Sequence, residues 1–434
     1  MNGNNGSFTP KKFLFVSIES LSGDLAWQVK KEGNEVKVYI GRDEDSDVYD
    51  GILEKVKSWE PFIDWADVIV FDDVGFGEIA EDLRKDGKLV IGGSSYTDRL
   101  EEDREFGQNE MKSAGLNTLP KETFQDFGKA IEYLKTNPGR YVFKPCGFIP
   151  SSMKDLLFIG QEEDGKDLLE VLMHNKKAWS KKIQAFQLQK YASGVEIAVG
   201  AFFNGKDFIY PVNVNFEHKR LFPGDIGPFT GEMGTLMFWS NKEHVVFRQT
   251  LEKMKEKLAA SGYCGYIDIN CIANAKGIYP LEFTSRFGYP TISIQMEGIT
   301  MSMGEFLYKL TKGEDFELKT KRGFQIGVVV AVPPFPFSDE TVSATYKDSS
   351  ILFKKPVYDG MHIGDIKIID EDWHLAGDSG YALVVTGSGG TVEEARQQAY
   401  RRVKNVILMN MFYRTDIGKK WAEDSDKLQT WGYI

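Results

Sequence analysis

Two acidic residues, Asp268 and Glu282, lie in stretches that are otherwise apolar, YIDIN and YPLEF. These stretches are predicted to pair as the two strands of one hairpin. A buried carboxylate is costly unless it is paired or bound to a metal ion, and two carboxylates on adjacent strands favour a magnesium site that bridges phosphates. The alternative is that one of the two acids faces solvent at a sheet edge. Shortly after Glu282, Arg286 can form a bidentate contact with a carboxylate or a phosphate.

A second group of residues is suited to holding a nucleotide. Lys144 lies in the strand-like stretch YVFKP, where its ammonium could face a phosphate, although a strand lysine that faces solvent is the common alternative. In QLQKYASGVE, the backbone from Lys190 to Ala192 could bond an adenine edge and Gln189 its amino group. Past a glycine turn, the carboxylate of Glu196 is suited to two ribose hydroxyls. An exposed glutamate in an ordinary hairpin is an equally open alternative.

Residues 217–235, EHKRLFPGDIGPFTGEMGT, combine two adjacent basic side chains with four glycines and two prolines. The stretch has no apolar period of 2 or 3.6, so it is predicted to be neither a strand nor a helix. Turn residues at this density indicate a shaped loop, and long ordered loops in a compact domain tend to be functional.

The order of these features resembles the ATP-grasp superfamily, and more closely the glycinamide ribonucleotide synthetases, also called phosphoribosylamine–glycine ligases. That family has Asp-His-Lys-Arg followed by Gly-Pro-Asn-Thr-Gly-Gly-Met-Gly, and this chain has EHKR at 217–220 followed by GPFTGEMG at 227–234. The family's Glu-Phe-Asn-Cys-Arg-Phe-Gly-Asp-Pro-Glu stands here as LEFTSRFGYPT, and FYRTDIG near the end resembles its Arg-Lys-Asp-Ile-Gly. The resemblance covers nearly the whole chain.

The resemblance implies an ADP-forming carbon–nitrogen ligase that uses ATP and Mg²⁺, with Mn²⁺ as an alternative ion. Such ligases phosphorylate a carboxylate with the γ-phosphate of ATP, and an amine then displaces phosphate from the acyl phosphate. Carried over by position, the resemblance places Lys144 at the α- and β-phosphates of ATP, and it places Gln189, Lys190, Ala192 and Glu196 at adenosine. It implies that Asp268 and Glu282 bind magnesium and that Arg286 faces the acyl phosphate. Lys219 and Arg220 would belong to a loop that closes over the phosphoryl-transfer centre.

The departures from the family pattern concentrate on the substrate side. The family's glycine-rich first turn is here SIESLSGDLAW, its Gly-Gly-Tyr-Pro is AVPPFPF, and Tyr381 replaces an arginine. Aromatic Phe229 and Tyr289 replace an asparagine and an acid. On the nucleotide side, Gln189 replaces an acid and Thr284 an asparagine that helps to hold metal.

These departures predict a ligase whose amine is not phosphoribosylamine but a less charged partner, such as an amino acid or a peptide. The first alternative is a genuine phosphoribosylamine–glycine ligase. A second alternative is an ATP-binding protein without catalysis.

The elements that position these residues are predicted as an α/β and α+β multidomain chain. Strands and helices alternate over residues 12–95, which predicts an open, mostly parallel sheet with helices on both faces. Hairpins follow, one of them turning at Asn204-Gly205, and a long amphipathic helix is predicted over KEHVVFRQTLEKMKEKLAASG. The last hundred or so residues are predicted as a small α+β domain.

The predicted division has a flexible N-terminus at 1–11 and an N-terminal α/β domain at 12–118. An ATP-grasp domain follows at 119–325, with a lid subdomain at about 141–200, and a C-terminal domain occupies 326–434.

Composition limits the partners. The net charge of −11, with acids and bases interspersed, argues against a nucleic-acid-binding surface. The first residues lack the apolar core of a secretion signal, and the best apolar run, at 326–337, is too short to span a bilayer. Three irregularly spaced cysteines indicate neither a disulfide framework nor a zinc site. We therefore expect a reduced, cytoplasmic monomer or homodimer that acts on a small-molecule carboxylate and an amine, one of them an amino acid, without nucleic-acid or membrane partners.

Overall fold

The computed structural model describes residues 8–146 and 156–434 of the chain. Residues 1–7, most of the predicted flexible N-terminus, lie outside it, as do residues 147–155. Within the described ranges, no helix is both long enough and apolar enough to cross a membrane.

The first part of the chain forms a five-stranded parallel sheet. Its elements are β1 (Lys12–Ser17), α1 (Gly23–Lys31), β2 (Glu35–Ile40), β3 (Glu54–Val56), β4 (Val68–Phe71), α2 (Gly77–Lys85) and β5 (Val90–Ile91). The strand order is β3-β2-β1-β4-β5, so the winding of the chain reverses between β1 and β4. Open sheets of this type bind ligands beyond the carboxyl ends of the strands at that reversal. The predicted parallel sheet is confirmed, with β3 as a short strand that the sequence pattern does not reveal.

A second unit contains a smaller antiparallel sheet with its own core. Its elements, with the two helices that lead into it, are α3 (Ser95–Glu102), α4 (Arg104–Ser113), β6 (Lys121–Phe124), α5 (Phe127–Thr136), β7 (Tyr141–Cys146), β8 (Phe158–Ile159), α6 (Lys166–Trp179) and β9 (Ala185–Lys190). The strand order is β6-β9-β7-β8. Phe127, Phe143 and Phe186 pack together in a cluster separate from the main core. Of the strand-like stretch KDLLFIG at 154–160, the first two residues lie outside the described part of the chain, and the rest contains β8.

The central part of the chain supplies most of the strands that carry the predicted site. Its elements are β10 (Val195–Asn204), β11 (Phe208–Glu217), β12 (Arg220–Phe222), β13 (Ile226–Phe229), β14 (Gly234–Ser240), α7 (Val245–Gln249), α8 (Lys255–Ala260), β15 (Cys264–Asn274), β16 (Gly277–Thr284), α9 (Thr291–Gly298) and α10 (Met303–Thr311). The predicted hairpin turn is present, with Gly205 at a φ of 89° that suits glycine.

Two local predictions for this part differ from the structure. Residues 217–235 are not an irregular loop throughout, because β12 and β13 form a two-stranded hairpin within them. These strands have three and four residues, too few to show an alternating pattern. The helix predicted over KEHVVFRQTLEKMKEKLAASG is broken at Thr250, whose φ of −126° and ψ of −88° are not helical.

The remaining elements complete the same main sheet and add a small one. They are β17 (Phe324–Ala331), α11 (Glu340–Tyr346), β18 (Ser350–Phe353), β19 (Met361–Ile363), β20 (Ile366–Ile369), β21 (Asp372–Leu375), β22 (Tyr381–Gly389), α12 (Val392–Val403), β23 (Val406–Ile407) and α13 (Trp421–Thr430). The main sheet has eight strands in the order β16-β15-β10-β11-β14-β17-β22-β19, and the small sheet has the order β20-β21-β18-β23. The predicted mixture of α/β and α+β parts is confirmed, while the domain boundaries stay predictions.

Candidate functional site

One face of the eight-stranded sheet carries the two acids predicted as metal ligands. In the register of β15 with β16, Asp268 lies opposite Thr284 and Asn270 lies opposite Glu282. Residues directly opposite in an antiparallel pair point to the same face, as do residues two apart on one strand. The four side chains therefore share one face on adjacent strands.

Lys219 connects carboxylates that come from three separate strands. Its Nζ lies 3.1 Å from Glu196 Oε1, 3.3 Å from Glu217 Oε2 and 3.7 Å from Glu282 Oε1. Burial acts to lower the pKa of Lys219, but these carboxylates raise it well above its ordinary value. Lys219 is therefore a fixed positive charge.

Glu282 is held in its ionised form by surrounding cations. Its side chain is 47% exposed, and its Oε2 lies 3.7 Å from Arg104 Nη1. Burial acts to raise the pKa of Glu282, but the positive charges of Lys219, Arg104 and Lys144 lower it to about 2. Its carboxylate is consequently charged at neutral pH, as a magnesium ligand must be.

Lys144 is buried on β7, so the alternative of a solvent-facing strand lysine is wrong. The residue is 8% exposed. Burial, together with the nearby charge of Arg104, lowers the pKa of Lys144 to about 8, and Glu282 opposes the shift. A bound phosphate would favour the charged form of this lysine in the same way.

Asp268 is a buried carboxyl with an unused acceptor. The residue is 2% exposed, and within the described part of the chain its Oδ1 has no hydrogen-bond partner. Burial, reinforced by Glu217 and Glu101, raises its pKa well above the ordinary value. A metal ion would satisfy such an atom and would favour the ionised carboxylate.

The fit of magnesium to these residues depends on ligands from outside the chain. Over residues 8–146 and 156–434, no three His, Cys, Asp or Glu side chains come together as a ready metal cluster. Asp268 and Glu282 would therefore supply part of the coordination shell. Phosphate oxygens and water would complete it, as is usual for magnesium at nucleotide sites.

A cavity of about 420 Å³ opens beside these charges. Of the residues predicted to hold adenosine, Ala192 and Glu196 line it, and Tyr191 and Lys219 lie on the same wall. Charged and apolar surface thus meet in one concave space, as nucleotide recognition requires.

Two predicted adenosine residues are placed in strand β9 and not on the wall of this cavity. Gln189 is 3% exposed. The Lys190 N–H donates to the Pro120 carbonyl oxygen at 2.9 Å, and the Lys190 Nζ lies 3.9 Å from the centre of the Tyr141 ring. In this conformation both the Lys190 N–H and its ammonium are engaged within the second unit.

The C-terminal segment also lines the cavity, a position that was not among the nucleotide-binding residues predicted from the sequence. Lys420, Trp421 and Asp424 contribute to the wall. The Trp421 ring packs edge-on against Phe216, with the ring centres 5.2 Å apart. The available signal was the motif FYRTDIG, which ends immediately before these residues.

Of the two adjacent cations in the sequence, only Lys219 reaches the acidic face. Arg220 is engaged within its own hairpin, where Nη1 donates to the Gly227 carbonyl oxygen at 2.7 Å. Its guanidinium lies 3.6 Å from the centre of the Phe229 ring. Arg220 therefore stabilises the hairpin at the rim of the cavity.

Arg286 lies at the other end of the acidic face. Its Nε is 2.9 Å from Asp73 Oδ1 and 3.2 Å from Glu101 Oε1. Burial acts to lower the pKa of Arg286, but these carboxylates raise it, and Asp268 contributes in the same direction. The guanidinium is therefore a neighbour of the predicted metal ligand, at the boundary with the parallel sheet.

The loop beyond β1, at the reversal of the parallel sheet, is flanked by two carboxyl groups. On one side the Ser22 N–H donates to Asp72 Oδ2 at 2.9 Å, and on the other side the Ser20 hydroxyl donates to Asp365 Oδ1 at 3.3 Å. Burial raises the pKa of each carboxyl to about 7. This loop lacks the glycine-rich backbone that would form an anion-binding nest.

Two family models match the chain. The model described as phosphoribosylglycinamide synthetase, ATP-grasp (A) domain, matches residues 102–292, and the model of the C domain of the same synthetase matches residues 325–420.

Named relatives and solved structures extend the match over most of the chain. The phosphoribosylamine–glycine ligase of Halalkalibacterium halodurans is 24% identical over 91% of this chain and 94% of that protein, and its namesake in Listeria monocytogenes is 25% identical over 81% and 84%. The crystal structure of the Thermotoga maritima phosphoribosylamine–glycine ligase covers 94% of this chain and all of that chain, with a TM-score of 0.70 and 21% identity. A biotin carboxylase from Campylobacter jejuni has a TM-score of 0.62 at 13% identity, covering 97% of each chain. At these identities the solved structures bear on the fold.

Proposed function

We propose, from the premise that this chain belongs to the phosphoribosylglycinamide synthetase family of ATP-grasp ligases, that it joins a carboxylate to an amine and cleaves ATP to ADP and phosphate in the process. The observation that carries this proposal is the convergence of Lys144, Lys219 and Glu282 beside a nucleotide-sized cavity. Phosphoryl transfer requires positioned charge more than covalent help from the protein, and this arrangement provides it.

In the first step, the substrate carboxylate attacks the γ-phosphate of ATP, and ADP leaves. Lys144 and Lys219 would neutralise the phosphate oxygens, and the partly exposed Glu282 would exchange its contact with Lys219 for a metal ion. Magnesium, held by Asp268 and Glu282, would offset the charge that develops on the transferred group.

In the second step, the amine attacks the acyl phosphate, phosphate leaves, and an amide bond forms. Arg286 pairs with Asp73, which follows β4 of the parallel sheet, so it would orient the acyl phosphate where that sheet meets this face. Its contacts with Asp73 and Glu101 would loosen when the phosphate binds. The Ala192 and Glu196 part of the cavity would hold adenosine.

For the substrates, the relatives' names favour glycine and phosphoribosylamine as the first pair to test. Their similarity covers most of the chain, including the region of the acidic face. A purine-pathway synthetase is accordingly the first candidate.

One observation favours a second candidate, a ligase with another amine. Asp72 and Asp365 flank the loop beyond β1, where an open parallel sheet binds its ligand. A phosphate dianion would meet two carboxyl groups there, while an uncharged or positively charged amine would not be repelled.

An assay of ADP release tests both the ligase activity and the identity of the amine. We expect glycine with phosphoribosylamine generated in situ, or another amino acid and amine from a panel, to give saturable ADP release that is lost in Lys144→Met. Saturable formation of glycinamide ribonucleotide would establish the first candidate and exclude the second. If no pair releases ADP and neither ATP nor ADP with magnesium raises the melting temperature at millimolar concentration, the ligase proposal is wrong.

A further inference from the structure

Arg414, in the motif FYRTDIG, is fully buried although it carries a permanent charge. A buried arginine is stable only if its donors are satisfied by charged partners. Arg414 makes a two-point contact with Asp416, in which Nε lies 2.8 Å from Oδ1 and Nη2 lies 2.7 Å from Oδ2. This fork fixes the plane of the guanidinium.

The third nitrogen of Arg414 crosses to the β12–β13 hairpin. Nη1 donates to Asp225 Oδ1 and to the Arg220 carbonyl oxygen, both at 2.9 Å. From the hairpin, the Gly224 N–H donates back to Asp416 Oδ2 at 2.9 Å. The hairpin is therefore held at three points, two at its tip and one at the start of β12, by residues about 190 positions later in the chain.

The same segment continues to the nucleotide cavity. Lys420 pairs with the second oxygen of Asp225, and both residues lie on the cavity wall with Trp421. Arg220 opens the hairpin directly after Lys219, so a shift of β12 would move the ammonium that meets Glu196, Glu217 and Glu282.

We propose that residues 414–421 form a strap that holds hairpin 220–229 closed over the nucleotide cavity, with Arg414 as the positioning residue and Asp225 as its counterpart. The strap sets the position of Lys219 and closes one wall of the cavity. Its role in ATP use rests on the proposed function, while its hold on the hairpin does not.

Asp225→Asn tests the strap with little risk to folding, because the Asp225 side chain is 36% exposed. The variant keeps the shape of the side chain and removes its charge toward Arg414 and Lys420. We expect the KM for ATP to rise about tenfold, equivalent to about 1.4 kcal/mol, with a smaller change in kcat. Glu423→Gln removes a charge from the same C-terminal segment, on a side chain that pairs with the exposed Lys427, and it should match the wild type.

Limited trypsin digestion provides a readout that needs no nucleotide. In the ligand-free protein, cleavage after Lys219 and Arg220 should be faster in Asp225→Asn than in the wild type or Glu423→Gln, at unchanged melting temperature. Arg414→Lys keeps a charge but loses the fork, so it should behave like Asp225→Asn. Because the two act on one contact, the double variant should be no worse than the worse single variant.

Two outcomes would contradict the proposal that residues 414–421 hold the hairpin closed. One is an unchanged cleavage rate in both Asp225→Asn and Arg414→Lys. The other is additive effects of the two substitutions on the KM for ATP. A wild type that releases no ADP would instead count against the proposed function, since the cleavage comparison would still give a result.

Discussion

The nucleotide side and the substrate side of the proposed site differ in the sign of their charged side chains. On the nucleotide side, Lys144 is buried among groups that include another cation, and Lys219 is fixed in its charged form. On the proposed substrate side, Asp72 and Asp365 accept hydrogen bonds from serines and, over residues 8–146 and 156–434, pair with no cation, and burial raises their pKa values to about 7.

This difference would preorganise the proposed site for a polyanion at one end and against a polyanion at the other. Phosphates entering near Lys144 find positive charge already in place, which costs no reorganisation. A ligand entering beyond β1 finds carboxyl groups that are near their titration point at neutral pH. A positively charged group would favour their ionised form, and a phosphate would favour their neutral form.

The largest effect should come from removing the proposed metal ligand of the nucleotide side. Glu282→Gln keeps the shape and removes the charge, and because the side chain is half exposed the fold should persist. We expect kcat to fall at least about a hundredfold, because a lost metal ligand removes several kcal/mol of transition-state stabilisation.

Steady-state ADP release measures this effect, with Glu256→Gln on α8 as the surface control. A Glu282→Gln enzyme that keeps more than about half of the wild-type kcat would remove Glu282 from the metal site.

The charge of Lys144 should make nucleotide affinity depend on pH. Its pKa is about 8 in the free protein, and anionic phosphates bind the protonated form. The affinity for ADP with magnesium should therefore be constant below pH 8 and fall above it, by up to about tenfold per pH unit.

Calorimetric titrations between pH 6.5 and 9.5 would show this slope. Lys144→Arg retains its charge over that range and should remove the slope, and Lys144→Met should bind weakly at every pH. If the wild type and Lys144→Arg show the same slope above pH 8, another group controls binding.

The comparison also shows which parts of the site the sequence predicts. Asp268, Glu282 and Lys144 stand as charges in apolar strands, and this local contrast is sufficient to single them out. Asp268 and Glu282 come together because β15 and β16, which are neighbours in the chain, pair with each other, whereas Lys144 comes from β7 of the smaller sheet. The parallel sheet is predictable because its central strands β1 and β4 are apolar runs that alternate with helical stretches.

The parts that the sequence does not predict depend on contacts between distant segments. Arg414 meets Asp225 across 189 positions, and Ser20 meets Asp365 across 345. No local period encodes such a pair. The helix break at Thr250 depends on a local contact, in which the Thr250 hydroxyl donates to the Val246 carbonyl oxygen at 2.6 Å. The sequence does not predict this break, because Thr250 lies inside a stretch with a helical pattern.

The smallest effect concerns the stability of the substrate side without ligand. Burial raises the pKa of Asp72 from 3.8 to about 7, so between these values the folded protein retains a proton that the unfolded chain has released. The contribution of Asp72 to stability is therefore fully present below pH 3.8 and is lost as the pH rises from there through 7. Asp72→Asn is neutral at every pH and escapes this loss. Its free energy of unfolding, relative to the wild type, should be higher at pH 8 than at pH 5 by at least about 1 kcal/mol.

Urea unfolding at the two pH values measures the difference, with the surface change Asp86→Asn as the control. An equal difference at pH 5 and pH 8 would mean that Asp72 is not held in its neutral form, and the electrostatic contrast between the two sides would lose its main support.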